Sequence, residues 1–209
     1  MKNNVVTIKI GSSVLLTQHH KLDEFRIAQL ADQISDLQSR GLGIILVVSG
    51  AVACGSKFID ISNQSERSKQ AAAGIGQAIL TTVFQKILTA RNLTLAQVLL
   101  TRHDLTDDDR KKKMAEVLAM YLKAGFVPLI NENDTVEPNS FGGNDFLAGE
   151  IAALTSSQRL IILSTMGGSI FGVGGGEAKQ RALKQAKLQG ISSMILNGKT
   201  KGVLMEALL

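Results

Sequence analysis

Val5-Val6-Thr7-Ile8-Lys9-Ile10-Gly11-Ser12-Ser13 is the stretch that decides the fold. A mostly β-branched apolar run ending on a glycine and two serines is how a buried strand enters a tight turn. Lys9 interrupts that run. A lysine inside a buried strand needs a partner or a site to point into, so Lys9 is read as functional rather than structural.

The same texture recurs outward from this strand. After Asp23, the residues Ile27, Leu30, Ile34 and Leu37 recur at helical spacing until Gly41 and Gly43 stop the pattern. Ile44 to Val48 is a second aliphatic strand closing on Ser49 and Gly50. A long helix is predicted over Ser68 to Ala90, where Gly74 and Gly76 permit close packing. Strands at Leu95 to Leu100 and Val127 to Ile130 flank a helix at Asp107 to Lys123, and the second strand leads into Asn131, Glu132, Asn133 and Asp134. A helix at Asp145 to Leu154 and a strand at Leu160 to Leu163, leading into Ser164 and Thr165, complete the alternation. A glycine-rich stretch, a Lys-rich helix at Glu177 to Gln189 and a short strand at Ser193 to Leu196 follow.

Alternating strands and helices predict an α/β protein: a three-layer α/β/α sandwich whose central sheet is mostly parallel, with ligands at the carboxyl ends of the strands. The 209 residues are enough for one such core, and no Pro- or Ser-rich linker divides them. The expectation is a single domain over 1–209 with two lobes, 1–155 and 156–209.

Composition narrows the function classes. Aromatic residues make up 4% of the chain and there is no Trp, so stacking platforms for single-stranded nucleic acid are scarce. The net charge of +5 is spread along the sequence, and its densest run, Arg110 to Lys113, follows Asp107, Asp108 and Asp109 as a balanced solvated surface. Positive potential of this size also suits anionic small substrates. No nucleic-acid partner is expected. The single cysteine, Cys54, excludes an internal disulfide and a thiolate cluster and fits a reducing compartment. His19, His20 and His103 lack metal-ligand spacing, so no metal-ligating residues are assigned. The N-terminus carries no basic start followed by a long apolar stretch, and no segment is expected to approach a membrane-spanning length, so a cytoplasmic location without membrane contact is expected.

The polar residues that follow the strands carry the chemistry. Lys9 with Gly11 to Ser13, Ser49 with Gly50, Asn131 to Asp134, and Ser164 with Thr165 converge because strand ends in a parallel sheet lie side by side. Two standard nucleotide signatures are missing: Ser193 replaces the first glycine that a phosphate loop ending in Gly198-Lys199-Thr200 would need, and no G-x-G-x-x-G follows the first strand. The run Gly172-Val173-Gly174-Gly175-Gly176-Glu177-Ala178-Lys179 reads as a glycine loop entering a helix, an anion cradle to which Lys179 adds a full charge. Taken alone, that run reads equally well as a simple turn.

Six segments in order, V-x-I-K-I-G-S-S-V at Val6 to Val14, V-V-S-G-A-V at Val47 to Val52, K-Q-A-A-A-G-I-G-Q at Lys69 to Gln77, Q-V-L-L-T-R at Gln97 to Arg102, V-P-L-I-N-E-N-D at Val127 to Asp134 and G-N-D-x-L at Gly143 to Leu147, resemble the glutamate 5-kinases of the amino acid kinase family. The resemblance implies ATP- and Mg²⁺-dependent phosphorylation of the side-chain carboxylate of L-glutamate, the first step of proline biosynthesis, with scope for feedback by proline and a homo-oligomeric state. It implies Lys9, Asp145 and Lys179 as catalytic residues, with Asp145 orienting the two lysines, and Ser49, Asp134 and Asn144 as the glutamate site. ATP would be held by Lys9, Gly11, Ser164, Thr165, Val173, Gly174, Gly175, Gly176, Glu177, Ala178 and Lys179. The 1–155 lobe would then hold the amino acid and 156–209 a shortened nucleotide lobe, in a form without the C-terminal PUA domain.

The sequence departs from that pattern at identifiable places. Thr165 replaces an acidic residue, a segment is missing between Phe171 and Gly172, and Gly143 replaces an aspartate. Two alternatives therefore stay open: a catalytically weak amino-acid-binding homologue, and another acyl-phosphate-forming kinase of the same fold.

Overall fold

The computed structural model describes residues 4–19, 21–62, 65–165 and 176–209, the side chains of 176–178 excepted. In chain order the elements are β1 (Val5–Ile10), α1 (Ser12–Leu15), α2 (Glu24–Ser39), β2 (Gly43–Val48), α3 (Ala51–Gly55), α4 (Glu66–Thr89), β3 (Leu95–Leu100), α5 (His103–Thr106), α6 (Asp108–Lys123), β4 (Val127–Glu132), α7 (Asn144–Leu154), β5 (Arg159–Ser164), α8 (Gly176–Leu188), β6 (Ser192–Asn197) and α9 (Val203–Leu208). The six strands form one sheet in the order β3-β4-β2-β1-β5-β6, and every pairing is parallel. The expected three-layer α/β/α sandwich is what the chain forms.

The pleat sorts the central strand into two faces. Val6, Ile8 and Ile10 pack with α1, α2, α4 and α9 through Leu15, Ile34, Leu80, Phe84 and Leu204. Val5 joins the opposite cluster with Leu105 of α5, Leu118 of α6, Leu147 and Ile151 of α7, and Ala182 of α8. Thr7 and Lys9 share Val5's face by alternation. Thr7 is satisfied there by a 2.8 Å hydrogen bond to Ser157.

Strand direction and helix placement together create the site. β1 and β2 feed helices on the first face, whereas β4 and β5 feed α7 and α8 on the second. Because β1 lies beside β5 and β2 beside β4, the chain diverges to opposite faces at two adjacent places along the carboxyl edge. Ligands of open α/β sheets bind in crevices of this kind.

Two glycines set the packing of the first face. A Cβ on Gly76 would lie 1.8 Å from the Ala51 carbonyl oxygen, and one on Gly55 would lie 1.9 Å from that of Ala72, so α3 and α4 touch backbone to backbone. Gly74 takes a looser form of the same role, with Thr135 Oγ1 3.3 Å from its notional Cβ. One sequence expectation needs correcting. Among the described residues α4 is long and apolar enough to cross a membrane by length and composition. It nevertheless buries Leu80, Phe84 and Leu88 in the first-face core and uses Gln77 in a polar network with the sheet, as a layer helix does.

Candidate active site

Lys9 is held in the middle of the sheet, paired in register with Val47 of β2 and Ile162 of β5, and is 6% exposed. Its side chain meets the first turn of α7, where its Nζ lies 2.8 Å from Asp145 Oδ1. Lys179, in the first turn of α8, approaches the other oxygen: its Nζ is 3.5 Å from Asp145 Oδ2. One buried carboxylate thus spaces two ammonium groups delivered by elements that are far apart in sequence. The helix N-terminus favours the Asp145 charge.

The electrostatics follow from burial. Desolvation pulls the Lys9 ammonium below the ordinary lysine value of 10.5; Asp145 opposes the shift and Lys179 adds to it. Asp145 thus favours the charged form of Lys9 that burial disfavours. Beside it, Gly11 leaves space that a side chain would fill: its notional Cβ would be 3.6 Å from Lys9 Nζ and 3.2 Å from the Leu163 carbonyl oxygen. Gly11 N donates to that carbonyl at 3.0 Å, which ties the β1 and β5 ends together.

The remaining sequence-derived positions fall into three groups. Ser164 is buried at the end of β5, with Thr165 half-buried just beyond it, both on the β1/β5 crevice. Ser49 and Asn144 sit at the neighbouring crevice, at the end of β2 and the start of α7, and Asn144 Oδ1 is buried without a hydrogen-bond partner among the described residues. Asp134 lies two residues past β4, where its Oδ1 accepts from Asn139 N at 3.0 Å and burial raises its carboxyl above the usual range. It is not part of the Lys9–Asp145–Lys179 group. Val173, Gly174 and Gly175 lie outside the described residues, and Gly176, Glu177 and Ala178 open α8. The Gly198-Lys199-Thr200 run is a turn: Lys199 N donates to Asn197 Oδ1 and Lys199 Nζ reaches Asp23 at 3.4 Å.

Sequence reasoning missed how the long motifs lock to each other. Asn131 Nδ2 donates to Gln77 Oε1 at 2.9 Å, Gln77 Nε2 donates to Thr81 at 3.1 Å, and Thr81 donates to Gln97. Gln70 Nε2 donates to the Thr135 and Val136 carbonyls at 3.2 and 3.4 Å. The glutamines in the Lys69 to Gln77 segment thus secure the end of β4 and the loop after it. Polar residues seven apart on one helix, opposite a polar strand end, were the available signal. No group of three or more His, Cys, Asp or Glu able to hold a metal occurs among the described residues.

Comparison with known proteins agrees with this geometry. The profile of the amino acid kinase family matches residues 4–168. The chain is 38% identical over 167 residues to glutamate 5-kinase 2 of Bacillus subtilis, covering 78% of this chain and 45% of that protein. It is 30% identical over 242 residues to glutamate 5-kinase of Clostridium acetobutylicum, covering 98% and 91%. Among solved structures, isopentenyl phosphate kinase superposes with a TM-score of 0.70 at 15% identity, covering 98% and 95%, which bears on the fold alone. The chain belongs to the amino acid kinase family. It spans less than half of the Bacillus relative, and its alignment to the Clostridium protein runs over more residues than the 209 it has, so that relative carries segments this chain lacks.

Proposed function

We propose that the chain transfers the γ-phosphoryl group of ATP to the side-chain carboxylate of L-glutamate. The observation that carries this reading is the pair of lysines from two halves of the sheet set against the two oxygens of Asp145, at the carboxyl edge of a family member. Relatives named glutamate 5-kinase support the acceptor.

The chemistry fits these residue types. A glutamate carboxylate has a reference pKa of about 4.3, so it is ionised at neutral pH and attacks without a general base. A carboxylate oxygen–phosphorus bond forms, the bond to the β,γ-bridging oxygen breaks, and the electron pair leaves on ADP. Two anions must meet, and Lys9 and Lys179 supply the positive charge along that path. Asp145 keeps the lysines apart and favours the charged form of Lys9. The nucleotide is assigned to the β1/β5 crevice with Gly11, Ser164 and Thr165, and glutamate to the β2/β4 crevice with Ser49, Asp134 and Asn144.

Both oxygens of Asp145 are engaged by lysines, so the described residues do not form a protein cage for Mg²⁺. A cation of this kind is commonly carried on substrate phosphates, where it neutralises charge. A cytoplasmic setting and the division into 1–155 and 156–209 lobes belong to the same reading. ADP release that depends on glutamate, measured in a coupled assay with Mg²⁺ and ATP, is the test; folded protein without such turnover refutes it. Thr165 and the missing segment favour a second reading, an amino-acid-binding homologue, in which calorimetry finds glutamate bound and ATP not.

A further inference from the structure

Glu132 is buried to 5% exposure at the carboxyl end of β4 and has no role in the transfer described above. Register places it usefully. Lys9 is level with Val47, and Val47 with Ile130, so Glu132 is level with Ser49 and Gly11 at the sheet edge, on the same face as Lys9. From there its Oε2 accepts from the Phe141 backbone N–H at 3.2 Å. Phe141 is buried in the second-face core, three residues before α7 begins.

The loop this bond closes runs from Asn133 to Gly143 and joins the two elements that carry the glutamate-side residues. Asp134 lies near its start, and Asn144 and Asp145 follow its end. Its other ties are local or on the opposite flank: Asn139 N to Asp134, Ser140 Oγ from Arg102 N, and Gln70 to Thr135 and Val136. Among the described residues it is Glu132 that joins the end of β4 to the approach to α7, through the Phe141 N–H and with the neighbouring Ser140 N–H also favouring its carboxylate. Gly142 and Gly143, at φ 74 and 120, let the chain turn from Phe141 into the helix. Burial raises the Glu132 carboxyl, with the charges of Asp134 and Glu137 adding to the effect, while the Phe141 N–H opposes it.

We infer that Glu132 is a positioning residue, a latch that holds the 133–143 loop closed and thereby sets Asp134 and Asn144 at the acceptor crevice. This rests on the assignment of glutamate to that crevice. The latch works by reach and by accepting a hydrogen bond, which a glutamine side chain also does and an aspartate, one methylene shorter, does not.

Calorimetric titration of L-glutamate into the wild-type chain and into E132A, E132Q and E132D, each with its melting midpoint, tests it. Leaving a buried donor such as the Phe141 N–H without its acceptor is worth roughly 5- to 100-fold in an equilibrium constant. E132A and E132D are expected to weaken glutamate binding by about that factor, while E132Q stays within about threefold of wild type. A merely structural residue lowers the melting midpoint of E132A and leaves the affinity of the folded fraction unchanged, which overturns the latch. Equal damage in E132Q and E132A also overturns it, by showing that charge rather than reach matters. If E132A does not fold, E132Q against E132D decides alone. Wild-type protein that binds no glutamate removes the functional reading and the latch together; wild-type binding with the wrong variant order removes only the latch.

Discussion

The two crevices at the carboxyl edge are built by different means. Around β2 and β4, side chains hold one another: Asn131 with Gln77, Gln70 with the Thr135 and Val136 carbonyls, and Glu132 with Phe141. Around β1 and β5 the described contacts are mainly backbone: Gly11 N to the Leu163 carbonyl, and Gly198 N to that of Ser164. Side-chain networks demand particular residues at particular spacings, whereas backbone approach demands little beyond small residues. The first crevice is therefore written in several long, specific motifs, and the second, beyond the Val6 to Val14 segment, in scattered glycines and serines.

Lys9, shared by both crevices, is the place to break this comparison hardest. Lys9→Ala removes a preorganised charge and leaves Asp145 to Lys179 alone; kcat is expected to fall on the order of 10²- to 10³-fold. Steady-state kinetics on folded protein checks this. Lys179→Ala removes the longer and more exposed of the two contacts, so its loss is expected to be smaller than that of Lys9→Ala in the same assay. Equal losses would show that the two halves contribute alike.

Stability separates the regions next. Gly76→Ala places a methyl group 1.8 Å from the Ala51 carbonyl oxygen, where backbone rather than a flexible side chain must move. A loss of about 3 kcal/mol is expected in chemical denaturation. Gln77→Ala strands the Asn131 amide in the first crevice, with an expected cost of about 1–3 kcal/mol. The smallest effect is on pH. Lys9 sits below the ordinary lysine value because of burial, so it loses its proton, and the reaction its charge, at a lower pH than an exposed lysine would. The alkaline limb of the rate profile is expected below pH 10.5. Asp145 raises the Lys9 value, so in Asp145→Asn the limb moves lower still.

Most of the fold was legible in the sequence. The strand at Leu95 to Leu100 matches β3 end for end, and the helix expected at Asp145 to Leu154 differs from α7 by one residue, because apolar runs closed by glycine and serine and helical spacing are local signals. The short helices α1, α3, α5 and α9 were not legible, since four to six residues carry too little periodicity. Lys9 stood out as a charge in an apolar strand. Its link to Lys179 through Asp145 followed only from resemblance, because nothing local relates residues that far apart. The Glu132 to Phe141 bond was illegible for a similar reason: it depends on how the loop turns at Gly142 and Gly143. At position 143, where the related pattern has an aspartate, the backbone of this chain has φ 120, a conformation in which a side chain is strained.

Phosphoryl transfer to a carboxylate makes an acyl phosphate, which hydroxylamine intercepts as a hydroxamate. With L-glutamate, ATP and Mg²⁺, the wild-type chain is expected to yield glutamyl hydroxamate in step with ADP, and Lys9→Ala to yield both on the order of 10²- to 10³-fold more slowly. ADP release without hydroxamate, or no product from folded protein that binds both substrates, contradicts the assignment of the two crevices to a single transfer.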